Sequence, residues 1–190
     1  MNETNVRAAD AIDRALLQRM ATGDHAALAT LYRSYHGRLC RFLSRLTRRP
    51  DIIEEVVNDC FWIAWQHAGD FRGAARVSTW LVGITLRCGL KAVGRQGMEL
   101  TDDLTDDAFP PEPGDGTDPG EDRELRDLLG KALALLSADQ RVVVELVYGV
   151  GHSLNEVAAI LQCPVGTVKA RLFHARMKLL NVMPALSGET

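Results

Sequence analysis

SLNEVAAILQCPVGTVKARLFHARMK, residues Ser153–Lys178, decides the fold. Its apolar residues recur at helical spacing on both sides of a short break, which predicts helices over Leu154–Leu161 and Val165–Asn181. Ser153 is a good N-cap for the first, because its hydroxyl oxygen can accept from an otherwise unpaired first-turn amide. Pro164 cannot continue a helix but suits the first turn of one, so it stops the first helix and starts the second. Two helices joined by Gln162-Cys163-Pro164 have the spacing of a helix-turn-helix.

On a helical wheel of the second helix, Val168, Leu172, Ala175 and Leu179 form a narrow stripe that should pack on the preceding helices. Thr167, Ala170, Phe173, His174 and Met177 fall opposite. Lys169 and Arg176 flank the stripe on one side, Arg171 and Lys178 on the other. Cations on both shoulders can reach the phosphates of two strands while the crown meets base edges in a major groove. The amides at Val165–Thr167 add donors for a phosphate. A solvated amphipathic helix would carry similar residues. The preceding turn and an outward Phe173 favour DNA binding over that reading.

Working outward, the C-terminal lobe is completed by helices predicted over Asp122–Leu136 and Ala138–Tyr148, with Ser137 as the cap of the latter. Upstream, residues 97–121 read GMELTDDLTDDAFPPEPGDGTDPGE. Four of the chain's seven prolines and four glycines lie here among many acids, with little apolar periodicity, so a flexible linker is expected. The N-terminal lobe reads as four more helices. The first, Asp10–Thr22, carries Ile12, Leu16, Leu17 and Met20 on one face and ends at Gly23. Asp24 caps the second, His25–Thr47. Pro50 opens the third, to Ala68, and the loop GDFRGAAR follows. Ser78 is a plausible cap for the fourth, Thr79–Gln96, with Trp80, Leu81, Ile84, Cys88 and Leu90 as its apolar set. The expected architecture is all-α: two small helical domains, 1–96 and 122–190, joined by an acidic linker, 97–121.

The formal charge of −3 hides a strong polarity. Residues 99–127 alone carry −10, which leaves +7 on the remainder, so an acidic pI does not argue against nucleic-acid binding. No stretch approaches the roughly 18 uncharged apolar residues of a membrane span, and the first residues lack the order of a secretory signal. A cytoplasmic protein is expected. The chain shows no Gly-rich phosphate loop, nucleophile elbow or catalytic carboxylate cluster, so no enzyme, cofactor or small-molecule substrate is expected. The four cysteines, Cys40, Cys60, Cys88 and Cys163, form no CxxC pair and read as small buried hydrophobes. His36 and Cys40 share a helical face at i,i+4, but a third and fourth ligand at suitable spacing are missing, so no metal site is expected.

EVAAILQCPVGTVKARLFHAR resembles region four of extracytoplasmic-function sigma factors, whose usual pattern is EIA..L..P.GTVKSRL.RAR; LALLSADQRVVVELVYGVGHSLNEVA is similar to the preceding family run, with Ser137 where Pro is commoner. MATGDHAALATLYRSYHGRLCRFLSRLT, IIEEVVNDCFWIAW and FRGAARVSTWLVGI resemble region two. The fourth helix departs from the pattern: in Ile84-Thr85-Leu86-Arg87-Cys88-Gly89-Leu90-Lys91, Arg87 replaces an Asn and Lys91 an Asp. Positive charge on the DNA side rises, Gly89 lowers helix propensity, and the −10 preference should be atypical.

The resemblance implies roles. Glu54, Glu55, Asn58, Asp59 and Trp62 should dock on the clamp helices of the largest subunit of core RNA polymerase. Arg72, Arg76 and Ser78, with Arg87 and Lys91, should act at the −10 element, where strand separation needs a pocket for an unstacked base and cations for the freed backbone. Thr167, Lys169, Ala170, Arg171, Phe173, His174 and Arg176 should contact the −35 element of promoter DNA. An anti-sigma factor, membrane-anchored, is the further partner implied. A stand-alone regulator, its first lobe a dimerisation or sensing domain, is the alternative reading; it would bind DNA without polymerase.

Overall fold

A computed structural model describes residues 3–47, 49–96 and 130–186, with side chains described over 6–47, 49–92 and 130–181. The expected linker, 97–121, lies outside the described residues, as does most of the helix expected over Asp122–Leu136. Among the described residues there is no β-strand. The chain divides into two compact units, Met1–Leu43 with Arg49–Met98 and Ser44–Arg48 with Glu99–Thr190.

The first unit contains α1 (Glu3–Ala21), α2 (His25–Ser44), α3 (Pro50–Gln66), a 3₁₀ turn (Ala68–Asp70) and α4 (Val77–Gln96). Gly23, at φ +88, ends α1 as its position suggests. Its amide donates to Met20 O (2.9 Å) and that of Asp24 to Arg19 O (3.1 Å), the paired bonds that close a helix through a left-handed residue. Asp24 then caps α2, accepting from the amides of Ala26 (2.9 Å) and Ala27 (3.2 Å). Pro50 lies in the first turn of α3, where its missing amide costs nothing.

The core is aliphatic. Leu17, Leu31, Leu39, Ile53, Val57 and Leu81 are each at most 1% exposed, and each such side chain contributes about 1.5–3 kcal/mol by leaving water. Gly89 has a structural reason. A Cβ there would lie 3.1 Å from Leu43 Cδ2, so this residue, buried on α4, lets the helix approach α2 closely. Ile12 and Leu90, expected inward, are exposed. The Ser78 cap is also corrected. The helix begins at Val77, whose amide donates to Asp10 Oδ1 on α1 at 2.8 Å. A cap supplied from 67 residues away is invisible to local reading.

The second unit contains a helical stretch at 130–134, α5 (Ala138–Val144), a π-turn (Glu145–Gly149), α6 (Leu154–Leu161) and α7 (Val165–Leu186). Ser137 and Ser153 cap α5 and α6 as expected, each within a capping box completed by Gln140 and Glu156. The helix expected to run straight to Tyr148 instead widens at Glu145, with Glu145 and Leu146 turned into the core. Burial pushes the Glu145 carboxyl above its ordinary range. α5 and α6 both pack on α7, where Val168, Leu172 and Ala175 are buried as the wheel predicts.

Candidate nucleic-acid interface

The turn between α6 and α7 is sharp because Gln162 adopts φ +51, ψ +43, the left-handed conformation. The Cys163 amide donates back to Ala158 O at 3.1 Å, which satisfies the end of α6. α7 restarts at Val165, with the amides of Thr167 (2.9 Å) and Val168 (3.3 Å) donating to Pro164 O. This geometry, with Val168, Leu172 and Ala175 fixed in the core, dictates which residues α7 presents.

Lys169, Ala170, Phe173, His174 and Arg176 are exposed, and Thr167 and Arg171 are half-buried. Phe173 is 59% exposed, its ring edge-on to His174 at 5.6 Å between centroids. The Phe173 ring is thus open to a partner surface. The basic shoulders are held by neighbours that the wheel did not reveal. Arg171 pairs with Asp139 of α5 at 2.6 Å. Arg176 donates from Nε to Tyr148 Oη at 2.7 Å, with its guanidinium 5.6 Å from that ring's centroid, and Lys178 Nζ donates to Leu135 O at 3.2 Å. Exposed pairs of this kind hold a side chain in place at a worth of about 0–1 kcal/mol.

In the first unit Arg72 lies exposed in the loop between the 3₁₀ turn and α4, and Arg76 and Ser78 are half-buried at the start of α4. Arg87 and Lys91 are exposed one turn apart on α4. Sequence reasoning missed what shapes the loop. Arg14 of α1 donates from Nη2 to Ala75 O at 3.0 Å and reaches Gly73 O at 3.4 Å, while its Nε is bound by Asp10 Oδ2 at 2.6 Å. Asp10 therefore uses one oxygen on Arg14 and the other on the first amide of α4. Gly73 sits at φ +72, a conformation that L side chains rarely adopt, beside the Arg14 guanidinium, which a Cβ would push aside. Arg14 also lies over the Phe71 ring (5.5 Å), which packs on Trp80 (5.2 Å). The Asp10–Arg14 spacing was the one signal available, and on its own it reads as an ordinary helix pair.

On α3, Glu54, Glu55, Asn58, Asp59 and Trp62 are all exposed, Trp62 to 61%. They form one stripe because they recur at i, i+1, i+4, i+5 and i+8. α2 braces this helix: Tyr32 Oη donates to Asn58 Oδ1 at 3.3 Å, and His25 stacks on Trp65 at 4.8 Å. Burial pushes the thiols of Cys40 and Cys60 up to about 11 and about 12, so both are protonated at neutral pH. The third group that the spacing of His36 and Cys40 lacked is supplied by the fold. Glu54, from α3, comes within 4.8 Å of both.

Residues 31–98 match the family model described as Sigma-70 region 2, and residues 126–179 that described as Sigma-70, region 4. The chain is 30% identical to the ECF RNA polymerase sigma-E factor of Escherichia coli K12, over 92% of this chain and 95% of that one. To the factor of the same description from Haemophilus influenzae it is 29% identical, over 92% and 96%. Among solved structures, CnrH in complex with the cytosolic domain of CnrY superposes with a TM-score of 0.64 at 23% identity, over 92% of this chain and 98% of that one. The sigma factor RpoE in complex with the anti-sigma factor NepR, from Bartonella quintana, gives 0.58 at 26% identity, over 85% and 98%. The two family matches define the class, a sigma-70-type transcription initiation factor and not an enzyme. Within that class, the chain belongs to the ECF RNA polymerase sigma factors.

Proposed function

We propose that the two units divide promoter recognition between them, with domain 1–96 acting on core polymerase and the −10 element, 97–121 as the tether, and 122–190 acting on the −35 element. The observation that carries this reading is the crown of α7, where Lys169, Ala170, Phe173 and His174 are exposed on the second helix of a helix-turn-helix. Such a helix fits the major groove. Thr167 and Arg171 position it on phosphates, and Arg176 adds a third contact of that kind.

Arg72, Arg76 and Ser78 act where the −10 strands part, and Arg87 and Lys91 follow the backbone along α4. Support comes from the Arg14-held loop, whose fixed carbonyls leave Arg72 directed to solvent. The stripe of Glu54, Glu55, Asn58, Asp59 and Trp62 docks on the clamp helices of the largest polymerase subunit. Three acids there suit a basic surface, and Trp62 supplies the aromatic anchor that interfaces favour.

An anti-sigma factor, membrane-anchored on its own side, holds the chain inactive in the cytoplasm. Support is the likeness to RpoE, whose structure contains an anti-sigma factor. Among the described residues no helix of this chain is long and apolar enough to cross a membrane.

The test is transcription in vitro with purified core polymerase and a genomic promoter library. Promoter-specific transcripts are expected, and Phe173→Ala should cut −35-dependent transcription by about tenfold, the equivalent of losing one good base-edge contact. A folded protein that neither associates with core polymerase nor yields a specific transcript would overturn the assignment.

A further inference from the structure

His36 Nε2 lies 3.2 Å from Glu54 Oε2 and 3.7 Å from Cys40 Sγ, so one ring nitrogen faces a carboxylate and a thiol together. Liganding atoms held about 2.0–2.3 Å from one zinc-like ion at tetrahedral angles sit roughly 3.3–3.6 Å from each other. Both of these separations are within a few tenths of an ångström of that spacing, and since the three liganding atoms all lie within 4.8 Å of one another, a small movement of the exposed Glu54 side chain completes the set. The donor set has a chemical preference. Imidazole, thiolate and a single carboxylate suit zinc and its neighbours in the first transition row rather than magnesium or calcium, which favour all-oxygen shells.

We propose that His36, Cys40 and Glu54 form a binding site for one divalent transition-metal ion of the zinc type, which pins α2 to α3. The two ligands on α2 are one turn apart on one face, and the third crosses from α3, so the ion links two helices that otherwise meet through side chains such as Tyr32 and Asn58. Entry is from solvent, because the Glu54 side chain is 49% exposed while Cys40 closes the site from beneath. Binding replaces the thiol proton by the metal, and the proton leaves to water. With three protein ligands, the fourth position falls to water or to a group from a partner. An ordinary surface ion pair between His36 and Glu54 above an inert buried thiol would account for the same distances, and the two readings separate cleanly in solution.

The experiment uses the full chain, freed of metal with a chelator and kept reduced, then titrated with cobalt(II) alone. A thiolate-to-cobalt charge-transfer band in the near ultraviolet is expected, with visible bands of a tetrahedral ion, saturating at one equivalent. Cys40→Ala should abolish the charge-transfer band, whereas Cys163→Ser should keep it. His36→Ala and Glu54→Gln, both at solvent-reached positions, should weaken binding by about tenfold or more. Zinc should raise the melting temperature of the parent chain and not that of Cys40→Ala. No charge-transfer band at excess cobalt, or a band that survives Cys40→Ala, overturns the proposal. Should Cys40→Ala fail to fold, an unchanged affinity in His36→Ala overturns it equally.

Discussion

Arg14 of α1 braces the loop between the 3₁₀ turn and α4 from outside it. Its guanidinium reaches two loop carbonyls, and its partner Asp10 caps α4. Hydrogen bonds from a charged donor are worth about 1.5–3 kcal/mol each when buried. The Arg14 side chain is 36% exposed, so the set is discounted for solvent to about 1–2 kcal/mol in all. Arg14→Ala should therefore leave core-polymerase association intact and slow promoter opening by about tenfold, the equivalent of ~1.4 kcal/mol. Permanganate reactivity of −10 thymines reads the opening directly. An unchanged opening rate would mean that the loop needs no such brace. This residue was not legible in the sequence, because its partners lie about 60 positions away and backbone carbonyls leave no mark in a residue pattern. Glu54 was half legible: its exposure on α3 followed from periodicity, but its approach to His36 depends on how two helices cross.

At the scale of elements, periodicity and caps were readable because their physics is local. Ser137, Ser153, Asp24, Gly23 and Pro50 each act within a few residues of their own position, and each acts where its chemistry predicts. The π-turn at Glu145–Gly149 was not readable, since it accommodates the packing of Glu145 and Leu146 rather than any propensity. The helix-turn-helix contains one local conflict. Gln162 is the only non-glycine residue at positive φ among those described, at the position where helices most often place glycine. A left-handed non-glycine residue costs about 1–2 kcal/mol, against up to ~1 kcal/mol of added chain entropy for glycine when unfolded. Gln162→Gly should thus stabilise the second unit by roughly 0.5–1 kcal/mol. All three tryptophans, Trp62, Trp65 and Trp80, lie in the first unit. Calorimetry or helical circular dichroism, rather than tryptophan fluorescence, is the measurement that sees the change. A loss of stability would show that the Gln162 side chain contributes to the turn.

For the whole molecule, the decisive quantity is the distribution of charge. Residues 99–127 hold −10, while the remainder, including both proposed DNA-contacting surfaces, holds +7. A uniform chain of the same net charge would have no strong attraction for DNA, whereas gathering the acids into one segment leaves the rest of this chain net positive. The segment 97–121 has 25 residues, enough to span at most about 80 Å when drawn out but averaging near 28 Å as a neutral coil. Promoter elements about 20 base pairs apart are separated by roughly 70 Å at ~3.4 Å per pair. On the proposed reading, a tether serving both elements has to reach further than a neutral coil does, and repulsion among nine acids favours a longer reach. Replacing 97–121 by a neutral Gly-Ser sequence of equal length should therefore weaken initiation at promoters that need both elements. Each unit should keep its melting transition, and −35 binding by the isolated second unit should not change. Transcription measured across a salt series separates the causes. If repulsion within the tether is what matters, high salt screens it in the natural chain and brings its activity toward that of the neutral one; if tether charge is immaterial, the two chains coincide at every salt concentration.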